Sequence, residues 1–288
     1  MELRSVAALI EASRKMPIWE AILCSDLEED TPEQRAASLE KMRMLWQVMQ
    51  DSAAGYDGSQ RSLSGLSGGD GEKYTQMMSS GKMMCGTYLN DAIATALKVS
   101  ECNACMKRIV AAPTAGSCGV IPAVLIPYRK EYPDTPEEEM LHALYVTGGF
   151  GNIIAERASV SGAEAGCQAE IGTACSMAAA AACQAFGYNI HQIEYAAEVS
   201  LEHHLGLTCD PICGLVQVPC IERNAVAAMR AINALINSAN IAYFLTGTRN
   251  ISYDMVLKSM YYTGLDMNQR YRETAEGGLA RIYTRRGK

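Results

Sequence analysis

The stretch "GCQAEIGTACSMAAAAACQ", residues 166–184, decides how the chain is read. Its second half is alanine interrupted by cysteine, serine and methionine, small or straight side chains that lose little freedom in a helix. Such a run reads as a helix buried on every side, and the pattern predicts it over 174–187. Three cysteines, Cys167, Cys175 and Cys183, lie eight residues apart in it. On one helix each residue adds about 100°, so neighbouring cysteines are turned by about 80° and the three cannot converge on one metal. Cys167 is singled out, because it sits between Gly166 and Gln168, where a loop or helix start brings the backbone close to a bound group. Cys175 and Cys183 read as small apolar core residues.

Outward from this stretch the chain reads as mainly α. In "TPEQ", Thr31 is placed to cap a helix, Pro32 suits its first position and Gln34 can reach back, so a helix is expected over 32–53. The same device in "TPEEE" makes Thr135 a cap, Pro136 the first residue and Glu138 the closing side chain of a helix over 136–158. Residues 5–14, 17–29, 83–111, 191–205 and 222–245 also carry helical patterning, and no series of alternating strands or internal repeat appears. Sixteen methionines against three phenylalanines agree with helices over sheets.

The 288 residues are enough to bury a sizeable core. A net charge of −7, with no basic stripe, argues against a nucleic-acid partner. The opening "MELRSVAALIEASRKMPIWE" interleaves charge with apolar residues, unlike a signal or transit peptide. No run of about 18 uncharged apolar residues is present to cross a membrane. A cytoplasmic protein is expected, in which eleven cysteines are core filler or metal ligands and not a disulfide framework.

Three loops stand out. "CDPICGLVQVPCIERNA", 209–225, is broken by Pro211, Gly214 and Pro219, which puts Cys209, Cys213 and Cys220 on a sharply turning loop before a helix near Ile221. Thiols on such a loop can aim at one point. "AAPTAGSCGVIPAVLIP", 111–127, crowds Pro113, Gly116, Gly119 and Pro122 around Thr114 and Ser117, a shape that lets backbone amides approach a carboxylate or phosphate. It lacks the Lys-Ser/Thr of a P-loop, and "GGFGN" at 148–152 lacks the third glycine of a dinucleotide fingerprint. "SLSGLSGGDGEKY", 62–74, reads either as a flexible connection or as a loop whose amides line a site. "CNAC", 102–105, has no second CxxC and reads as two buried thiols on one helix face.

Four motifs in order, "APTAGSCGVIPAV", "GAEAGCQAEIGTACSMAAAA", "HHLGLTCDPICGLVQVPCIERNA" and "RETAEGGLA", resemble the α chain of the iron-sulfur L-serine dehydratases. The resemblance runs from about residue 60 to 280, and residues 1–55 resemble the usual α-chain start. It implies a mainly α fold: an N-terminal helical segment, 1–55, packed on a helical catalytic domain, 56–288, built around a 4Fe-4S cluster. It implies Cys167, Cys209 and Cys220 as cluster ligands and leaves Cys213 a bystander. Thr114, Gly116 and Ser117 would bind substrate, with Ser67, Gly68 and Gly69 closing over the same pocket. The implied reaction is β-elimination of water from L-serine to give pyruvate and ammonia, a lyase step in amino-acid catabolism and gluconeogenesis. Hydroxide leaves poorly, and an iron left open by three thiolates is the Lewis acid such a step needs.

Single-chain members carry a further domain with an SHTxGP motif, which does not occur here, so a separate β subunit is expected as partner. Some members end in a cysteine that occupies the open iron, whereas this chain ends "RIYTRRGK". The catalytic base is not assigned, and neither His203 nor His204 is chosen. Competing readings are a cluster-dependent L-cysteine desulfidase on the same scaffold and a noncatalytic scaffold subunit.

Overall fold

The computed structural model describes residues 3–240 and 251–286. Along the chain run α1 (Val6–Ala12), α2 (Ile18–Asp26), α3 (Pro32–Ala54), α4 (Asp70–Ser79), α5 (Thr87–Ala104), α6 (Val120–Glu131) and α7 (Glu137–Arg157). There follow α8 (Gly162–Ala165), α9 (Thr173–Ala185), α10 (Ile190–Glu202), α11 (Cys220–Asn240), α12 (Tyr253–Asp266) and α13 (Gly278–Arg286). No strand occurs among the described residues, and no helix there is long and apolar enough to cross a membrane. The fold is mainly α.

The alanine run becomes α9 and lies at the centre, packed against α6, α7, α10 and α11. Every residue from Thr173 to Cys183 is buried, as a helix apolar on all sides requires. With only methyl groups at Ala178–Ala182, its neighbours approach closely enough for thiols to reach their polar atoms. Cys175 Sγ donates to the Ala227 carbonyl of α11 at 3.2 Å, and Cys183 Sγ is 3.4 Å from Ser238 Oγ. Burial pushes both thiols up to about 12, so they remain neutral packing groups. Gly187, at φ +72°, ends the helix, and Tyr188 N–H closes back on the Cys183 carbonyl at 2.9 Å. Val6, Leu9 and Ile22 from the first two helices, and Trp46 and Met49 from α3, join the same apolar cluster.

Several helix limits depart from the sequence expectations for identifiable reasons. Thr31 does cap α3, accepting from Gln34 N–H at 3.3 Å, but Gln34 turns its own carbonyl to Glu29 N–H. Thr135 caps nothing: Pro136, with ψ 149°, is the N-cap of α7 and provides no side-chain bond. The 62–74 segment is not all loop, because α4 begins at Asp70. Its first amides are held by a carboxylate far away in sequence, Glu101 of α5, which accepts from Asp70 N–H and Gly71 N–H at 2.9 and 3.2 Å. The 111–127 segment turns into α6 at Val120 despite Pro122 and Pro127. Helices α12 and α13 had no expectation, and residues 241–245 of the expected 222–245 helix lie outside the described residues.

Candidate active site

Three segments converge beside the start of α9. The first carries Cys167. Gly166 reaches φ +71° and comes so near Met267 Sδ and the Leu207 carbonyl that a Cβ would lie 2.5 and 2.9 Å from them. Gln168, fully buried, then locks the turn: its Nε2 donates to the Met260 carbonyl at 3.1 Å, and its Oε1 accepts from Gly206 N–H at 2.9 Å. From Gln168 to Gly172 the backbone forms one π turn before α9 takes over, a distortion that tends to mark functional sites. That turn presents Glu170, the one charged side chain in 166–184, away from the alanine core.

The second segment is the loop from Cys209 to Cys220. Cys209 N–H donates to the Tyr271 carbonyl at 2.8 Å, and Ile212 N–H bonds the Val218 carbonyl at 2.9 Å, pinching the loop into a rigid knuckle. Cys220 is the first residue of α11. Cys213, at φ +57°, is exposed on the knuckle, while Cys167, Cys209 and Cys220 are all buried.

These three thiols feel one another. Burial first, then the charges of Cys167, Glu170 and Cys220, drives the Cys209 thiol far above its ordinary range. Cys220 is pushed up to about 12 by burial and by Cys167 and Glu170. Cys167 is also raised by burial, but the Arg223 guanidinium, hydrogen-bonded to it, opposes that rise. Burial works against the charge of Arg223, and Cys167 and Asp210 outweigh it. Arg223 donates at 2.8 Å both to Asp210 and to the Thr208 carbonyl. Asp210 in turn accepts from Leu279 N–H at 2.8 Å, fastening the start of α13 to the loop.

The third segment is the turn at 112–119. The Thr114 hydroxyl bonds Glu170, whose carboxyl is held above the usual range by burial. Glu170 Oε2 is 4.0 Å from Cys209 Sγ, so one carboxyl group bridges the turn and the thiols. At Gly116 a Cβ would lie 3.0 Å from Val216 and 3.6 Å from Glu170 Oε1. Ser117 is fully buried, and its hydroxyl is engaged within the turn by Thr114 and the Ala112 carbonyl. Asn224 staples the turn to the cysteine helix: it accepts from Gly119 N–H at 2.9 Å and donates to the Gly116 and Cys220 carbonyls at 2.7 and 2.8 Å.

Ser67, Gly68 and Gly69 are buried and belong to an ordered loop. The hydroxyls of Ser62, Ser64 and Ser67 donate to one atom, Gln217 Oε1, at 2.9, 2.8 and 3.1 Å. The flexible-connection reading of 62–69 is therefore replaced by a loop fastened to the cysteine knuckle. The structure thus brings together Cys167, Cys209, Cys220, Thr114 and Gly116, and ties Ser67 to them through Gln217. Elsewhere, Cys102 bonds the Ser52 carbonyl at 3.3 Å and Cys105 is half-buried at the end of α5. His204 Nδ1–H donates to the Ser200 carbonyl at 2.7 Å, and burial lowers that imidazole to about 4. Sequence reasoning missed Glu170, Asn224, Gln217 and Arg223. Only Glu170 had a local signal, its lone charge in an uncharged run. Among the described residues no three His, Cys, Asp or Glu side chains meet closely enough to hold a single metal ion.

A mainly helical scaffold that gathers three buried cysteines, a carboxyl group and a tight hydroxyl-bearing turn defines a class of protein with a buried, thiol-lined site. The family profile described as serine dehydratase alpha chain matches residues 13–280, and the chain belongs to that family. "Probable L-serine dehydratase, alpha chain" of Bacillus subtilis is 39% identical over 286 residues, 98% of this chain and 93% of that protein. "L-serine dehydratase" of Streptomyces coelicolor is 49% identical over 185 residues, and "L-serine dehydratase 2" of Escherichia coli 50% over the same number. Each of those two matches covers 64% of this chain but 40% of the longer relative.

Proposed function

We propose that the chain is the α subunit of an L-serine dehydratase, an L-serine ammonia-lyase that works with a separate β subunit in the cytoplasm. L-Serine loses its Cα proton and its hydroxyl as water, giving aminoacrylate; tautomerisation and hydrolysis then release pyruvate and ammonia. The observation that carries this reading is the meeting of Cys167, Cys209 and Cys220 with Glu170 and Thr114 at one buried place.

The donor set fits a 4Fe-4S cluster. Thiolate ligands would be spread over such a cluster and need not meet on one ion. All three thiols are buried within electrostatic reach of one another, and Arg223 supplies positive charge facing the accumulated thiolates. Cys167, Cys209 and Cys220 would hold the cluster, which would supply a Lewis acid for the serine hydroxyl. The chain's own residues do the rest. The turn at Thr114, Gly116 and Ser117 offers close backbone approach for the carboxylate or amine. The loop at Ser67, Gly68 and Gly69 covers the pocket and excludes water. Glu170 places negative charge between turn and thiols, where an ammonium group is favoured.

Anaerobic purification with the β partner tests this reading by visible spectrum, iron content, and pyruvate formed from L-serine against L-cysteine. A brown, iron-loaded protein that deaminates serine and loses activity in air is expected. An iron-free protein would overturn the cluster assignment, and sulfide release from cysteine without serine turnover would replace the dehydratase by a desulfidase.

A further inference from the structure

One contact in the site is not explained by ligand or substrate chemistry. Gln217 is buried, eight residues after Cys209 and three before Cys220, and its amide oxygen receives three serine hydroxyls from a loop some 150 residues earlier in the chain. An amide oxygen has two lone pairs, so three donors more than fill it, and the Ser62 and Ser64 hydroxyls, 3.0 Å apart, also bond each other. The serines are therefore not free to turn toward a substrate. What they do is hold the loop: Ser62 N–H bonds the Ser67 carbonyl at 3.0 Å and Ser67 N–H bonds Ser62 Oγ at 3.3 Å, closing a small ring around the contact. The chain just beyond is equally constrained. A Cβ at Gly68, whose φ is +125°, would sit 2.4 Å from the Gln60 carbonyl.

The other half of Gln217 points into the cysteine helix. Its carbonyl accepts Ile221 N–H at 2.9 Å and so starts the turn that carries Cys220. Its neighbour Val216 lies so near Gly116 of the substrate turn that a Cβ there would be 3.0 Å from it. One residue thus connects the helix of a proposed ligand, the knuckle beside the substrate turn, and the covering loop.

We propose that Gln217 is a positioning residue: its amide oxygen holds the 62–69 loop in register against the cysteine knuckle. The role of the loop in substrate binding rests on the function proposed above, whereas the tether itself does not. Because the same residue starts the Cys220 turn, occupation of the cysteine site and order in the loop are linked reciprocally.

The test compares the full chain with Gln217→Met, which keeps the length and removes the acceptor, and Gln217→Glu, which keeps an acceptor for all three hydroxyls. Hydrogen exchange of the Ser62–Gly69 amides is read on anaerobically purified protein, iron-free and iron-loaded. Gln217→Met should speed exchange of this loop by about ten-fold or more, and Gln217→Glu should stay within about three-fold of the parent. In the αβ enzyme Gln217→Met should raise KM for L-serine more than it lowers kcat, with Gln217→Glu recovering most of the loss. Unchanged exchange in Gln217→Met, or equal loosening by Met and Glu, would overturn the proposal. If the parent chain takes up no iron, the cluster reading fails instead, and the exchange comparison on iron-free protein still decides the role of Gln217.

Discussion

Five of the seven buried cysteines divide between two neighbouring parts of one molecule. Cys175 and Cys183 point from α9 into helix contacts, and their nearest polar atoms are a carbonyl and a hydroxyl. Cys167, Cys209 and Cys220 are as well buried, and burial raises their thiols too. Burial therefore does not separate packing from chemistry here. The difference lies in the neighbours: the second set face each other, Glu170 and Arg223, while around the first set the closest groups are neutral. The charge of Cys167 raises both Cys209 and Cys220, while Arg223 opposes the rise at Cys167 itself, a mutual influence among thiols that Cys175 and Cys183 lack.

The largest effect expected from this contrast is all-or-none. Cys167→Ala, Cys209→Ala and Cys220→Ala should each abolish iron incorporation and pyruvate formation while leaving a helical, cooperatively melting chain. Cys175→Ala and Cys183→Ala should retain iron and lose about 1 kcal/mol of stability from the small voids left in the core. Iron content and urea midpoints on the five variants check both halves. Loss of iron in Cys183→Ala with retention in Cys167→Ala would invert the assignment.

How much of this was legible in the sequence follows the same divide. The packing cysteines were readable because helical rotation alone separates Cys175 and Cys183 from any shared point, and alanine announces a buried helix. Cys209 and Cys220 were legible as loop-borne through Pro211, Gly214 and Pro219. What escaped depends on contacts distant in sequence. Asp70 starts a helix because Glu101, thirty-one residues on, accepts its amide. Ser67 is ordered because Gln217 is 150 residues away in sequence but adjacent in space. The π turn that aims Glu170 has no propensity signature, and Pro122 and Pro127 hid α6 because proline usually ends helices. Thr135 failed as a cap for a local reason: Pro136 takes an extended ψ and becomes the cap itself.

The polar supports of the two regions differ in the same way. Asn224, with no exposed surface, satisfies Gly119 N–H and the Gly116 carbonyl on the site side. Asn224→Ala leaves both without a partner in the interior and should cost about 4 kcal/mol, with KM for serine raised as the turn loosens. Ser238, on the packing side, donates to Leu235 of its own helix, and Ser238→Ala should cost no more than about 1 kcal/mol. Denaturant titration of the pair measures the gap; similar losses would mean that the 112–119 turn is not held by Asn224.

Acid separates the regions through His204, which packs against Gly172 at the joint between π turn and α9. Its folded value of about 4 lies below the ordinary 6.5, so the unfolded chain takes up a proton in that window and the native chain does not. Stability should fall as pH drops from about 6.5 to about 4, by up to about 3 kcal/mol, and the contribution is fully present above that window. Glu170, raised by burial, works in the opposite sense, gaining its proton more readily in the folded chain. Urea midpoints at pH 7 and pH 4.5 should therefore diverge less in His204→Gln than in the parent. An identical pH dependence would show that His204 is not the buried neutral group.

The smallest effect sets one glycine against another at the two ends of the decisive stretch. Gly166 and Gly187 share a positive φ, +71° and +72°, but Gly166 pairs it with an extended ψ of −172°. An alanine at Gly166 enters a region that essentially only glycine adopts, at a cost of about 1–3 kcal/mol, and one at Gly187 bears the strain of a positive φ, about 1 kcal/mol. Gly187 has nothing within 4 Å of a new Cβ, so Gly187→Ala should show that strain alone, leaving iron binding unchanged. At Gly166 the methyl would meet Met267 Sδ, which can swing aside, and the Leu207 carbonyl, which cannot, because it accepts Gln168 N–H at 3.0 Å. The backbone next to Cys167 must then shift, so Gly166→Ala should lose about 1 to 2 kcal/mol beyond its counterpart and also load iron more slowly. Equal midpoints and equal loading would mean that the approach to Cys167 tolerates displacement, and that the cysteine is held by Gln168 rather than by the turn before it.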